Sequence, residues 1–152
     1  MAITLLRTRS DDERFLALHR QLTALLAELN GESDAFYAAQ NRPETLPIAV
    51  LAFDGEQPVG CGALRPHGER EVEIKRMFVA PSHRGRGIAA AVLDELLRIA
   101  RELHYRRAVL ETSRRLTSAV RLYQRAGFHP ITNYEPYVDL DDSLCMALAL
   151  AP

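Results

Sequence analysis

The segment VEIKRMFVAPSHRGRGIAAAVLDELLRIARE, residues 72–102, runs from a strand-like stretch through a basic, glycine-containing turn into an amphipathic helix. It places bare backbone and positive charge directly before an alanine-rich helical start. A helix N-terminus presents unpaired N–H groups and about half a positive charge. Gly85 and Gly87 carry no Cβ to keep an anion off the backbone. Arg84 and Arg86 supply charge-assisted donors, and Ala89, Ala90 and Ala91 keep the first turn slim. The combination reads as a phosphate cradle. A Gly-rich loop with solvated arginines would look the same, so both readings stand at this point.

Three phosphate motifs compete for the turn. A P-loop requires Gly-Lys followed by Ser or Thr, and the chain has none. A dinucleotide fingerprint is met in letters by Gly85, Gly87 and Ala90, with Glu111 near the place of a ribose-binding acid. Its first glycine should follow the strand almost directly, yet five residues, Ala80 to Arg84, intervene. The third pattern is R/Q-x-x-G-x-G/A, filled by Arg84, Gly87 and Ala89.

Working outward, the stretch AITLLRT predicts a strand and SDDERFLALHRQLTALLAELNG a helix. Ser10 and Glu13 have capping-box spacing. SDAFYAAQN reads as a short second helix or a loop. PIAVLAF, Asp54-Gly55 and QPVGCGAL form a predicted hairpin, in which Gly60 and Gly62 mark a bulge or a close backbone approach. EREVEIKRMFVA is a further strand, and the helix after the turn carries Ile88, Val92, Leu96, Ile99 and Leu103 on its inner face. RRAVLET (strand), LTSAVRLYQRAGF (helix), a short strand near Pro130–Thr132 and SLCMALAL (strand) complete the order. A meander followed by alternating strands and helices implies one α/β domain, residues 1–152, with a mixed sheet and helices on both faces.

The 152 residues are 47% apolar and 26% charged, with a net charge of −1, which is no electrostatic match for nucleic acid. No apolar run approaches membrane-spanning length, and the opening residues lack the h-region of a signal peptide. Cys61 and Cys145 make no disulfide framework, so the expected compartment is the cytoplasm. The histidines show no metal spacing, and no His shares a motif with either cysteine. Neither a metal nor a cysteine nucleophile is expected.

The quoted segment resembles the acetyl-CoA-binding motif of the GCN5-related N-acetyltransferase (GNAT) superfamily. SAVRLYQRAGF is similar to that family's second signature, a helix with a Tyr before a Gly-Phe turn. The resemblance covers nearly the whole chain. It implies a partly antiparallel mixed sheet in which a splayed parallel strand pair holds acetyl-CoA. The pyrophosphate is then expected on Arg84, Gly85, Arg86, Gly87, Ile88 and Ala89, and the pantetheine arm beside the backbone of Met77, Phe78 and Val79. The chain departs from the pattern at Leu116, where many members have an Asn that contacts the cofactor arm.

Two side chains are expected to carry the chemistry. By the resemblance, Tyr123 is the general acid for the departing thiolate; a core tyrosine on the face of Leu122 and Ala126 is the alternative. Glu73 lies in a strand that should be apolar, where a charge is costly unless used or solvated. The resemblance to the histone-acetyltransferase branch makes it the general base, and a Glu73–Lys75 pair at the strand end is the alternative. The polar stretch TNYEPYVDLDDS, with Tyr134 and Tyr137, and the tyrosine-containing region at Phe36 and Tyr37 are candidate acceptor walls, with Arg76 a candidate for a substrate carboxylate. The expected reaction is direct acetyl transfer to the primary amine of a small molecule. A protein acceptor and a non-catalytic acyl-CoA sensor on the same fold are the alternatives, and a homodimer is left open.

Overall fold

The computed structural model describes residues 2–30 and 44–151. The order is β1 (Ile3–Thr8), α1 (Glu13–Asn30), β2 (Ile48–Asp54), β3 (Gln57–Gly68), β4 (Glu71–Val79), a 3-10 turn (Pro81–His83), α2 (Ile88–Glu102), β5 (Arg107–Ser113), α3 (Thr117–Arg125), β6 (His129–Ile131) and β7 (Ser143–Ala149). The strands form one seven-stranded mixed sheet in the order β1-β2-β3-β4-β5-β7-β6. The segment expected as a second helix, Phe36 and Tyr37 included, lies outside the described residues. Among the described residues no helix is long and apolar enough to cross a membrane.

The chain forms two compact units, residues 1–64 with 75–96, and residues 65–74 with 97–152. In the first, β2 reads IAVLAFD and is buried along its centre, as a strand covered on both faces must be. Ala49, Leu51 and Phe53 of β2 and Cys61 and Ala63 of β3 point one way, into a cluster with Phe15, Leu18 and Leu22 of α1. Those three recur at helical spacing, so one stripe of α1 meets the sheet. The opposite face belongs to α2, and the two glycines of β3 make room for it. A Cβ at Gly60 would lie 2.8 Å from Ile88 Cγ2, and one at Gly62 would lie 2.8 Å from Leu96 Cδ1 and 2.6 Å from Met77 Sδ. The close-approach reading holds at both glycines, and the bulge reading at Gly60 alone, where the β2–β3 register shifts between Ala52 and Phe53. Leu103, expected on the inner face of α2, is instead 50% exposed, because the helix ends at Glu102 and His104 turns the chain with φ +66°.

In the second unit β5 pairs antiparallel with β7 along its whole length, and β6 pairs antiparallel with β7. α3 starts at Thr117 with Leu116 as its N-cap and no side-chain cap bond. Gly127, at φ +102°, lets the chain leave α3 while Phe128 N–H bonds back to Tyr123 O and Gly127 N–H to Gln124 O.

The start of α1 differs from the capping box expected of Ser10 and Glu13. Ser10 is buried and turns toward residues 44–46, its Oγ accepting from Leu46 N–H at 2.6 Å. The cap is Asp12. Its Oδ1 accepts the Arg14 N–H at 2.9 Å, and its other oxygen accepts from Thr8 Oγ1 at 2.9 Å and Arg14 Nη2 at 2.8 Å. The bond from the Arg14 side chain, more than any other contact, holds the Asp12 carboxyl well below the usual carboxylate range. A carboxyl depressed on folding stabilises the fold above its unfolded pKa of about 3.9 and loses that contribution as pH falls toward the folded value. Asp12→Ala is expected to cost about 1 kcal/mol at pH 7. The melting-temperature gap between variant and wild type should close as pH is lowered below about 4; a gap independent of pH would exclude the charged cap.

Candidate active site

The turn before α2 is built as an open cradle. Gly85 and Gly87 sit at φ +77° and +79°, a region that favours glycine, and no atom lies within 4 Å of where a Cβ would project from either. Gly87 O accepts the Ala91 N–H, so Gly87 starts the helical bonding and the N–H groups of the next residues have no intrahelical partner. The first turn holds no acidic residue to compete with an incoming anion. Ile88 buries its side chain against Gly60 and offers the cradle only its backbone. His83 and Arg84 prove more structural than the sequence suggests. His83 is buried between Ser82 Oγ at 2.7 Å and Asp54 Oδ2 at 2.9 Å. Arg84 folds back on β4, its Nε donating to Val79 O at 3.0 Å and its guanidinium lying 5.6 Å from the centre of the Phe78 ring.

β4 and β5 run parallel and pair at Glu71–Arg107, Val72–Ala108 and Glu73–Val109. The ladder ends there, although β4 continues to Val79 and β5 to Ser113. Shortly past the last pair, Arg76 takes φ +59°, a conformation costly for a non-glycine residue in a strand. Its side chain is buried, its carbonyl accepts from the Cys61 thiol at 3.4 Å, and Lys75 before it is half-buried.

In the second unit, strand alternation and register put Glu71 and Glu73 of β4, Arg107, Val109 and Glu111 of β5, and Cys145 of β7 on one face. Glu73 is only 4% exposed. Its Oε2 accepts from Tyr134 Oη at 2.7 Å. The Tyr134 ring meets His67 edge-on at 4.5 Å and Tyr137 at 5.8 Å. Glu71 holds His67 Nδ1 through one oxygen and accepts from Arg107 Nη1 at 2.9 Å through the other. Beside these groups opens a depression of about 620 Å³ lined by His67, Glu71, Arg107, Thr132 and Tyr134, among others. Burial, reinforced by the charge of Glu73 and its hydrogen bond, pushes the Tyr134 phenol far above its ordinary value. Burial does the same to Tyr137, helped by Glu111 and Glu73.

Tyr123 is buried on α3, edge-on to Phe128 at 5.9 Å. Burial first, and the charge of Glu111 second, raise its phenol well above the ordinary range. Both cysteines are buried; burial pushes the Cys61 thiol up to about 12 against the opposing charge of Arg76, and raises Cys145 as well. Neither is poised as a thiolate nucleophile.

The second unit therefore brings Glu73, Tyr134 and Tyr137 together, and the first unit holds the cradle residues on one turn. Arg76 is enclosed rather than presented. Two contributors were missed from sequence. Glu111, weighed only as a ribose acid, accepts from Ser143 Oγ at 2.7 Å and presses electrostatically on both Tyr123 and Tyr137. Asn133 pins the loop after β6, its Nδ2 reaching Tyr137 O, Leu140 O and Ser143 O at 3.1–3.3 Å while its Oδ1 accepts the Cys145 N–H. Period-two alternation along RAVLETS would have found Glu111. Nothing local distinguishes Asn133 from any other loop asparagine.

The model of the acetyltransferase (GNAT) family matches residues 8–128. N-acetyltransferase 8B of Rattus norvegicus is 40% identical over 91 residues, 57% of this chain, which spans 41% of that protein's length. A Klebsiella pneumoniae protein described as an acyl-CoA N-acyltransferase is 27% identical over 98% of both chains, with a TM-score of 0.80. The PaiA N-acetyltransferase of Thermoplasma acidophilum, solved in complex with coenzyme A, shares the fold at a TM-score of 0.75 and 14% identity, over 98% of this chain and 99% of that one. With acetyl-CoA as that family's cosubstrate, and with the glycine cradle and mixed sheet already in place, the chain belongs to the GNAT acetyltransferase family.

Proposed function

We propose that residues 1–152 act as one N-acetyltransferase domain that moves the acetyl group of acetyl-CoA to the primary amine of a small molecule, by direct transfer in a ternary complex. The observation that carries the reading is the cradle. Two glycines at positive φ leave open space where side chains would stand, at the start of a fifteen-residue helix with no acid in its first turn. Oriented N–H groups with Arg86 beside them suit a pyrophosphate. The backbone of Gly85, Gly87, Ile88 and Ala89 would hold it, with Arg84 adding charge from its folded-back position. The backbone of Met77, Phe78 and Val79 would take the amide-rich arm, which is supported by the end of the β4–β5 ladder at Glu73.

When bound, acetyl-CoA supplies an activated thioester. Glu73 takes the proton that the attacking amine must lose as nitrogen bonds to the acetyl carbon and the carbon–sulfur bond breaks. Tyr123 serves the departing sulfur. Its phenol is held above a thiol pKa of about 8.5, so it stays protonated and stabilises the sulfur chiefly by donating a hydrogen bond. The enclosure of Glu73, with Tyr134 and Tyr137 over it, supports a compact amine acceptor. Arg76 is left out of acceptor binding because its side chain is buried.

Three measurements test this reading. Acetyl-CoA at about a hundred times its Kd should stabilise the wild type by about 2.7 kcal/mol, and NAD should not. Gly87→Glu should abolish that stabilisation, judged against the variant's own melting temperature because a side chain at φ +79° is itself strained. An undiminished acetyl-CoA shift in the variant rules the cradle out.

Tyr123→Phe removes only the hydroxyl. It should lower kcat about 10- to 100-fold and leave acetyl-CoA affinity intact, as loss of a hydrogen bond to a charged group implies. Unchanged kcat with reduced thermal stability would make Tyr123 a packing residue.

Glu73→Gln keeps the shape and cannot accept a proton. Turnover at pH 7 should fall by about 10²–10⁴. Part of the loss should return at high pH, where more of the acceptor amine is already neutral. Full activity at pH 7 with an acceptor whose amine pKa is about 10 would assign the base elsewhere.

A further inference from the structure

We propose that Tyr134 is a positioning residue for the transfer: its hydroxyl fixes one oxygen of the Glu73 carboxylate so that the other is presented to the acceptor amine. The inference rests on the reading of Glu73 as the base. The geometry begins with the 2.7 Å bond from Tyr134 Oη to Glu73 Oε2. A carboxylate that is 4% exposed needs donors to remain charged. A phenol is a rigid one, with only two side-chain torsions to order. Here the torsions are set from three sides. His67 packs edge-on against the ring, and is itself held by Glu71, which Arg107 secures. Tyr137 packs on the ring from the same loop. Asn133, the preceding residue, ties that loop to three carbonyls and to β7. Such support goes beyond what an incidental surface contact requires, and it fixes the hydroxyl where the carboxylate lies.

The bond also bears on the charge state of Glu73. A donor to the ionised form favours that form, so its removal makes the carboxyl easier to protonate. The titratable groups acting with Glu73 are Tyr134 and Tyr137 from the loop and Cys145 from β7; beyond Tyr134 lie His67 of β3 and, bonded to it, Glu71 of β4 with Arg107 of β5. Glu111 of β5 and Arg65 of β3 act on Tyr137, and Glu111 on Cys145 also. Tyr134, Tyr137 and Cys145 are all held in their neutral forms through the neutral range, so none of them changes charge where Glu73 is being read.

The test is Tyr134→Phe, which keeps the ring against His67 and Tyr137. Acetyl-CoA affinity should be unchanged, kcat should fall about tenfold, and the acidic limb of kcat/KM should move to higher pH. In a Glu73→Gln background the same change should alter kcat less than twofold, because the two residues act as one. A second readout needs no turnover: the Glu73 carboxyl carbon, labelled and assigned by its loss in Glu73→Gln, is titrated by NMR. Its midpoint should rise in Tyr134→Phe. A risen midpoint together with a fully active Glu73→Gln places the failure in the base assignment, and the positioning role falls with it. An unmoved midpoint, with Glu73→Gln impaired, leaves the base standing and overturns the role of Tyr134.

Discussion

Two parallel strands that stop pairing after three residues are the constraint around which the sheet is arranged. A backbone N–H or carbonyl in a strand must find a partner or water, so the end of a ladder in mid-sheet marks a place where something else is wanted. In β4 the last pair involves Glu73, and three residues on, Arg76 takes a φ of +59°, tolerated because its surroundings enclose it. A non-glycine residue held in that conformation inside a strand re-aims the rest of the strand, as a bulge does. Met77, Phe78 and Val79 make up that remainder, and they lead straight into the glycine turn. Glu73, the backbone of Met77 to Val79 and the glycine turn thus lie on seventeen consecutive residues, Glu73 to Ala89.

Each of the two units carries its own cluster of charge. The cradle carries Arg84, Arg86 and a helix N-terminus free of acids. The sheet face of the second unit carries Glu71, Glu73 and Glu111, each with a donor: Arg107 for the first, Tyr134 for the second, Ser143 for the third. These carboxylates help explain why the buried phenols remain protonated. Burial alone disfavours a phenolate, and a neighbouring anion adds to the effect on Tyr123, Tyr134 and Tyr137 alike. A protonated phenol can donate and a carboxylate can accept, which is the division of labour that acyl transfer to an amine demands.

Most of the fold was legible because its elements obey simple periods. β2 and β5 read as apolar runs, α1 and α2 show helical spacing, and Asp54-Gly55 announces its turn. The glycines of β3 were legible as a question, and the side chains of α2 answer it. The features that escaped depend on contacts between distant residues. Ser10 looked like a cap and was drawn to Leu46, thirty-six positions away, which left the cap to Asp12. Arg76 shows no composition signal for positive φ. Tyr134 was read as an acceptor wall from its loop, but its bond to Glu73 spans sixty-one positions and no local pattern encodes it. The open shape of the glycine turn was legible because it rests on backbone conformation that glycine itself announces.

Arg84 illustrates how a motif residue serves fold and ligand together. Its Nε bond to Val79 O and its place over Phe78 close the turn between β4 and α2 on the strand it has just left. A lysine has one point charge and no planar fork, so it would give up either the carbonyl or the ring to reach an anion. Arginine spreads five donors over a plane, and one of them is enough for Val79. The strand end is thereby tied to the start of the cradle through a single side chain.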